Sequence, residues 1–183
     1  MARRPRIFIP GVSHHVIQRG NNRGDIFYVP SDYELFLLVL SDAARRSNVT
    51  VDAYALMTNH VHVVLTPQSS AGVPTTMQAV GRRYVYYFNR RYGRTGGLFE
   101  GRYRDALVDN DEYWFTCIRY VELNPVRAGL AATPDGYRWT SYRTHALGTP
   151  DPVVTPHAMY LSLGATPELR QQAWRAACSV AQP

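Results

Sequence analysis

The sequence predicts an α+β fold, a ferredoxin-like βαββαβ sandwich with one helix added after its last strand. Three observations predict it. The apolar period switches between two and 3.6 residues in the order strand, helix, strand, strand, helix, strand, the order of one antiparallel sheet with two helices packed on one side. The segments are separated by capping signals, turn clusters and a glycine stop. The length, 183 residues with 45% hydrophobic content, suits about one domain with a sizeable core. We take residues 1–148 as that domain and 149–183 as a helical tail.

The elements follow in order. Residues 1–11 are basic and proline-containing and read as an arm. Val12 to Gln18, with His14 and His15, is a first strand, and Arg19-Gly20-Asn21-Asn22-Arg23-Gly24 is a turn-rich loop. Ser31-Asp32-Tyr33-Glu34 after Pro30 has the form of a capping box. The helix it opens runs to about Ser47, with Phe36, Leu37, Val39, Leu40, Ala43 and Ala44 as its apolar stripe. Val51 to Leu56 is a second strand, and Met57-Thr58-Asn59 turns the chain back into a third that ends at Pro67. A second helix spans about Pro74 to Tyr92. Met77, Val80, Tyr84, Tyr87 and Phe88 face inward, and Gly93 is its stop. Ala106 to Val108 is the last strand. Asp109 and Glu112 have capping-box spacing, and the helix they open runs from Tyr113 to Asn124, where Pro125 ends it. Residues 126–150 are irregular, with Tyr137, Trp139 and Tyr142 as packing anchors. Thr149-Pro150-Asp151-Pro152 reads as a linker, and a tail helix covers about Pro167 to Val180.

Composition narrows the function. No apolar run approaches the ~20 residues of a membrane span, so no membrane role is expected. The basic start lacks a long apolar stretch behind it and is not a signal peptide. Cys117 and Cys178 lie far apart and do not suggest a disulfide framework, so a cytoplasmic, reduced protein is expected. The net charge is +6, and all 20 basic residues are arginine. A GC-rich genome accounts for missing lysine but not for the excess of positive charge. Arginine beside 13 tyrosines suits nucleic acid, because guanidinium groups pair with phosphates and aromatic faces stack on unpaired bases. From Arg82 to Arg104 there are seven arginines against one acid, Glu100. A solvated helix face would carry balancing acids, so phosphate contacts are expected there.

The chemistry centres on Met57-Thr58-Asn59-His60-Val61-His62-Val63-Val64-Leu65-Thr66-Pro67. In a strand, His60, His62 and Val64 share one face, while Val61, Val63 and Leu65 face a core. Two imidazoles side by side on one strand can grip a divalent ion, or simply be two hydrogen-bonded histidines. Tyr120 and Asn124 are one turn apart on the third helix. If that helix lies on the histidine face, His60, His62 and Asn124 offer three ligands and leave positions open for water and substrate oxygen. A mixed imidazole and amide set accepts Mg2+ or Mn2+, and Mn2+ suits imidazole better. A tyrosine beside such an ion suggests covalent attack on a phosphodiester. A free phenol ionises near 10, so a nucleophilic tyrosine needs a positive charge or a base nearby. Spacing alone does not choose between Tyr120 and Tyr113.

His60-Val61-His62 resembles the histidine–hydrophobic–histidine motif of HUH endonucleases. The whole Met57–Pro67 stretch, Gly101-Arg102-Tyr103 and Arg119-Tyr120-Val121-Glu122-Leu123-Asn124-Pro125-Val126-Arg127-Ala128-Gly129 resemble the REP-associated tyrosine transposases, single-tyrosine relatives of the small insertion-sequence transposases. Pro10-Gly11 through Val16 and Arg19-Gly20-Asn21 are similar too, so the resemblance covers roughly residues 6–145.

The resemblance implies that the added helix is the catalytic one, with Tyr120 as nucleophile, His60 and His62 as the metal pair and Asn124 as the extra polar ligand. Insertion-sequence relatives often carry glutamine at that last position, and the shorter asparagine suits coordination through water. The family cuts single-stranded DNA at hairpin-forming extragenic palindromes, leaves a 5′-phosphotyrosine link and frees a 3′-hydroxyl. Rejoining needs no nucleotide cofactor. A monomer is implied, with exchange of the tyrosine helix between two subunits as the alternative. For phosphate contacts the sequence singles out Arg82, Arg83, Arg90, Arg102 and Arg104, then Arg19, Arg23 and Arg127. Two rival readings are a sheet that binds single-stranded nucleic acid without cutting it, as a domesticated transposase would, and a metallonuclease that uses water.

Overall fold

The structure is a computed structural model that describes residues 7–179. Residues 1–6 of the expected arm and Val180 of the expected tail helix lie outside the described residues. One antiparallel sheet has strand order β2-β3-β1-β4, from β1 (Ser13–Arg19), β2 (Val49–Leu56), β3 (His60–Pro67) and β4 (Arg104–Val108). With α1 (Pro30–Arg46) and α2 (Gly72–Arg91), the order is the βαββαβ of the predicted sandwich.

The alternation in β3 divides the molecule. Val61, Val63 and Leu65 join Val16, Val51, Leu56 and the inner faces of α1 (Phe36, Leu40) and α2 (Val80, Tyr84, Phe88) in one core. Val64 points the other way. It packs with Ala53 and Ala55 of β2 and with Trp114, Cys117, Ile118 and Val121 of α3 (Asp111–Arg127). The added helix therefore covers the face of the sheet that α1 and α2 leave open.

Three boundaries differ from the sequence reading, each for a local reason. The α1 cap is not at Ser31. Helix α1 starts at Pro30, and the buried Asp32 carboxylate accepts from the backbone N–H groups of Tyr28 (2.8 Å) and Val29 (3.1 Å). Asp109 does not cap α3 either. Asn110 does, its side-chain oxygen accepting from Tyr113 N–H at 2.8 Å. Pro125 lies inside α3 instead of ending it. It sits in the last turn, where carbonyl partners come from beyond the helix: Ala128 N–H donates to Asn124 O and Leu130 N–H to Pro125 O. The chain leaves the helix at Gly129, whose positive φ of 69° suits a residue without a Cβ.

The segment after α3 is seated along β2, which would otherwise be an open edge. Leu56 N–H donates to Trp139 O, Ser141 N–H to Tyr54 O and Thr155 N–H to Val51 O. The stretch expected as a linker is part of this cover: Tyr54 Oη donates to Asp151 at 2.7 Å, and Val153 is buried in the α1/α2 core. Short helices α4 (Tyr142–Leu147) and α5 (Ala158–Leu161) follow, then α6 (Pro167–Ser179). Trp174 of α6 is fully buried against the α3 side. No helix of the described residues is long and apolar enough to cross a membrane.

Candidate active site

Register brings the site together. In β1 and β3, Arg19 lies opposite His60, Ile17 opposite His62 and His15 opposite Val64. Cross-strand partners share a face, so His15, Ile17 and Arg19 form a row beside the histidines of β3. Above that row stands Tyr120 of α3. Its ring is edge-on to His62 at 5.6 Å between centroids and to His15 at 6.1 Å. Tyr113, the other tyrosine the sequence left open, is in the first turn of α3, and no ring contact joins it to the histidines among the described residues. Tyr120 is 40% exposed. The Arg127 guanidinium lies over its ring at 5.7 Å from the centroid. Asn124 is half-buried one turn further along the same helix.

Hydrogen bonds constrain the imidazoles. The Asn59 side-chain amide donates to Arg23 O at 2.9 Å, which turns its oxygen toward His60 Nδ1 at 2.7 Å. An amide oxygen only accepts, so His60 Nδ1 carries the proton and Nε2 keeps its lone pair. This clamp starts from the loop before α1, where Asn22 and Arg23 hold positive φ angles of 51° and 57°. His62 Nδ1 is 2.9 Å from His15 Nε2, with the ring centroids 5.1 Å apart and the planes inclined by 24°. Burial lowers His15 to about 4. Burial, then the His15, His60 and Arg19 charges, lowers His62 to about 3. Burial and Arg19 also lower His60. All three are neutral at pH 7, the form a metal requires of imidazole.

No group of three His, Cys, Asp or Glu among the described residues is arranged to hold a metal ion. The imidazoles of His60 and His62 lie 5.0 Å apart between ring centroids, and Asn124 is carried by α3 one turn beyond Tyr120. The lone pair that Asn59 leaves on His60 Nε2 has the chemistry of a ligand to a divalent ion.

The arginines divide by position. Arg19, Arg102 and Arg104 line one cavity of about 430 Å3 with Ile17, Glu100, Gly101 and Tyr103. Glu100 N–H donates to Arg19 O, which clamps the loop before β4 onto the end of β1 beside His60. Arg23 is exposed in the clamp loop, and Arg127 is over Tyr120. Arg82, Arg83 and Arg90 are exposed on α2, the helix packed across the sheet from the histidines. Arg83 is paired there with Asp42. The sequence reading assigned no role at the site to His15 or Asn59. Adjacent residues of a strand point to opposite faces, so one of His14 and His15 had to join the His60–His62 row, but only the β1–β3 register says which.

A family model described as an IS200-like transposase matches residues 9–124, a span that holds every strand, both clamped histidines, Tyr120 and Asn124. No curated protein matches the chain. Among solved structures, that of a REP-associated tyrosine transposase bound to a REP hairpin is similar with a TM-score of 0.67 and 14% identity, covering 86% of this chain and 93% of that one. The two share a fold. A candidate transposase from Deinococcus radiodurans R1 aligns with a TM-score of 0.45 and 18% identity over 61% of this chain and 89% of its own.

Proposed function

This chain belongs to the IS200-like transposase family, and from that premise we propose that it is a metal-dependent single-strand DNA endonuclease and strand transferase that acts through a 5′-phosphotyrosine intermediate. The observation that carries the reading is the Tyr120 ring standing edge-on to His62 on the open face of the sheet. The Tyr120 oxygen attacks the scissile phosphorus. The new Tyr–O–P bond replaces the P–O3′ bond; the phenolic proton passes to solvent, and solvent returns one proton to the 3′-oxygen, which leaves as a hydroxyl. Arg127 over the ring and Arg19 beside His60 favour the negative charge that develops on the phenol and phosphate. His60 and His62, with Asn124, would hold the Mg2+ or Mn2+. A bound ion supplies Lewis-acid polarisation of the phosphoryl oxygen. Reversal with another 3′-hydroxyl rejoins the strand at no cost in nucleotide, since the link conserves the phosphodiester energy.

The substrate we propose is a DNA hairpin with single-stranded flanks, in line with the REP hairpin bound by the solved relative. Arg19, Arg102 and Arg104 would take phosphates next to the cut, with Arg23 and Arg127 at its edges. Arg82, Arg83 and Arg90 would meet DNA only if it wraps around to α2. We take the protein to act in the cytoplasm as a monomer with Tyr120 serving its own chain. The division at residue 148 is then one of roles: residues 1–148 hold every site residue, and 149–183 supply Trp174, whose indole reaches α3.

The test uses 5′-labelled and 3′-labelled hairpins from DNA flanking the gene, incubated with Mn2+ or Mg2+ and run on denaturing protein gels. A 3′-labelled fragment should travel with the protein and disappear in Tyr120→Phe and His62→Ala. Cleavage that leaves no adduct and survives Tyr120→Phe would replace this reading with a water-using nuclease. Tight binding with neither product, across a panel of repeats, would replace it with a binding module.

A further inference from the structure

We infer that His15 is a positioning residue: it accepts a hydrogen bond from His62 Nδ1–H and so leaves the Nε2 lone pair of His62 free for the metal ion. The inference rests on the metal role proposed for His62. His15 and His62 are 8% and 2% exposed, so the contact between them is closed to water. Across it His15 Nε2 and His62 Nδ1 lie 2.9 Å apart, and a hydrogen bond at that distance needs one proton shared between two nitrogens.

Two arrangements satisfy the contact, and they differ at the far side of His62. If His15 donates, neutral His62 carries its proton on Nε2 and offers no lone pair there. If His15 accepts, His62 carries the proton on Nδ1 and Nε2 is a ligand. The direction of one hydrogen bond thus decides whether His62 can bind metal. His60 meets the same requirement through Asn59, whose oxygen can only accept. Each histidine of β3 therefore has its own Nδ1 partner, one from the turn before β3 and one from β1. An acceptor on the second nitrogen fixes ring orientation and tautomer and raises ligand basicity, the usual function of a group behind a metal-bound imidazole. His15 Nε2 is taken up by the 2.9 Å contact to His62 Nδ1, so His15 itself does not serve as a third ligand through that atom.

The test is Mn2+ titration calorimetry on the full chain without DNA, for wild type, His62→Ala, His15→Phe and His15→Gln. Phe keeps an apolar ring against Tyr120 but accepts no hydrogen bond. Gln places an amide oxygen near the position of Nε2. We expect His15→Phe to bind Mn2+ 10–100-fold more weakly and His15→Gln to stay within about threefold of wild type, as retention of the acceptor requires. Wild-type affinity in His15→Phe, or equal losses in Phe and Gln, would overturn the positioning role while leaving the metal site standing. No saturable binding by wild type, or none lost in His62→Ala, would overturn the metal reading and this inference with it. Because a buried substitution can unfold the chain, 15N-histidine spectra of metal-free wild type supply an independent readout. His62 should show a protonated Nδ1 and an unprotonated Nε2, and the reverse pattern would sink the inference without any variant.

Discussion

The Trp174 indole donates to the Glu122 carboxyl group at 2.8 Å, with both residues at 0% exposure. The other Glu122 oxygen meets Ser141 Oγ at 2.5 Å and His145 Nδ1 at 2.6 Å. Glu122 is two residues beyond Tyr120, so the tail helix, α4 and the β2 cover all converge on the helix that carries the proposed nucleophile. Burial of a polar group is tolerated only while its partners are present. Trp174→Phe removes one donor and keeps a large ring. It should cost 1–3 kcal/mol in urea unfolding and lower adduct yield through misplacement of α3. A variant as stable as wild type would show that the tail packs on α3 without holding it.

Tyr120→Phe isolates the hydroxyl. Tyr120 is 40% exposed, and its Oη makes no hydrogen bond among the described residues. The change should move stability by less than about 0.5 kcal/mol and leave hairpin affinity intact while the covalent adduct falls to background. Equal loss of binding and adduct would make Tyr120 a contact for DNA and not the attacking group.

Much of this arrangement is legible in the chain because its signals are local. The alternation around Val61, Val63 and Leu65 separates core face from histidine face before any partner is known, and the ladder agrees with it. What is not legible depends on register and on distant partners. His15 reaches His62 only through the β1–β3 pairing, and the residues are 47 apart in sequence. Asn59 looks like turn material until Arg23 O orients its amide. Glu122 has no role in the sequence reading, because its partners Ser141, His145 and Trp174 lie 19, 23 and 52 residues further along. Pro125 misleads because the rule against proline applies to a helix interior, and here it falls in the last turn with carbonyl partners supplied from beyond it.

The histidine row predicts a pH dependence for the metal-free fold. Folded His15 and His62 titrate at about 4 and about 3, held down first by burial. An unfolded histidine titrates near 6.5. Between those values the unfolded chain binds more protons, so stability rises with pH there. The contribution is full above about 6.5 and is lost as pH falls toward the folded values. At pH 5 the loss is up to about 2 kcal/mol for each residue. With chelator present, the urea midpoint should drop between pH 7 and pH 5, and His62→Ala should flatten that drop. A midpoint level across this range would mean that the imidazoles are hydrated and not sealed under α3. Asp32 acts lower. Burial would raise it, but the Tyr28 N–H, the Tyr92 and Tyr87 hydroxyls and the Val29 N–H outweigh burial and hold it below the usual carboxylate range, so its share is lost only in stronger acid.

Salt dependence can say which face of the protein DNA follows. Arg104 lies opposite Ile17 on the histidine side and lines the cavity with Arg19 and Arg102, and no acid is paired with these three among the described residues. Arg83 sits across the sheet and is already engaged by Asp42. Each phosphate contact releases condensed counterions, so losing one reduces the slope of log affinity against log salt by about 0.7 for a single strand. Arg104→Ala should show that reduction, measured by fluorescence polarisation with a hairpin carrying a single-stranded flank. Arg83→Ala should leave the slope unchanged, because Arg83 is held by Asp42 and faces away from the cut. A reduction in Arg83→Ala equal to that in Arg104→Ala would show that the hairpin stem wraps onto α2. That would also bring Arg82 and Arg90 into the interface.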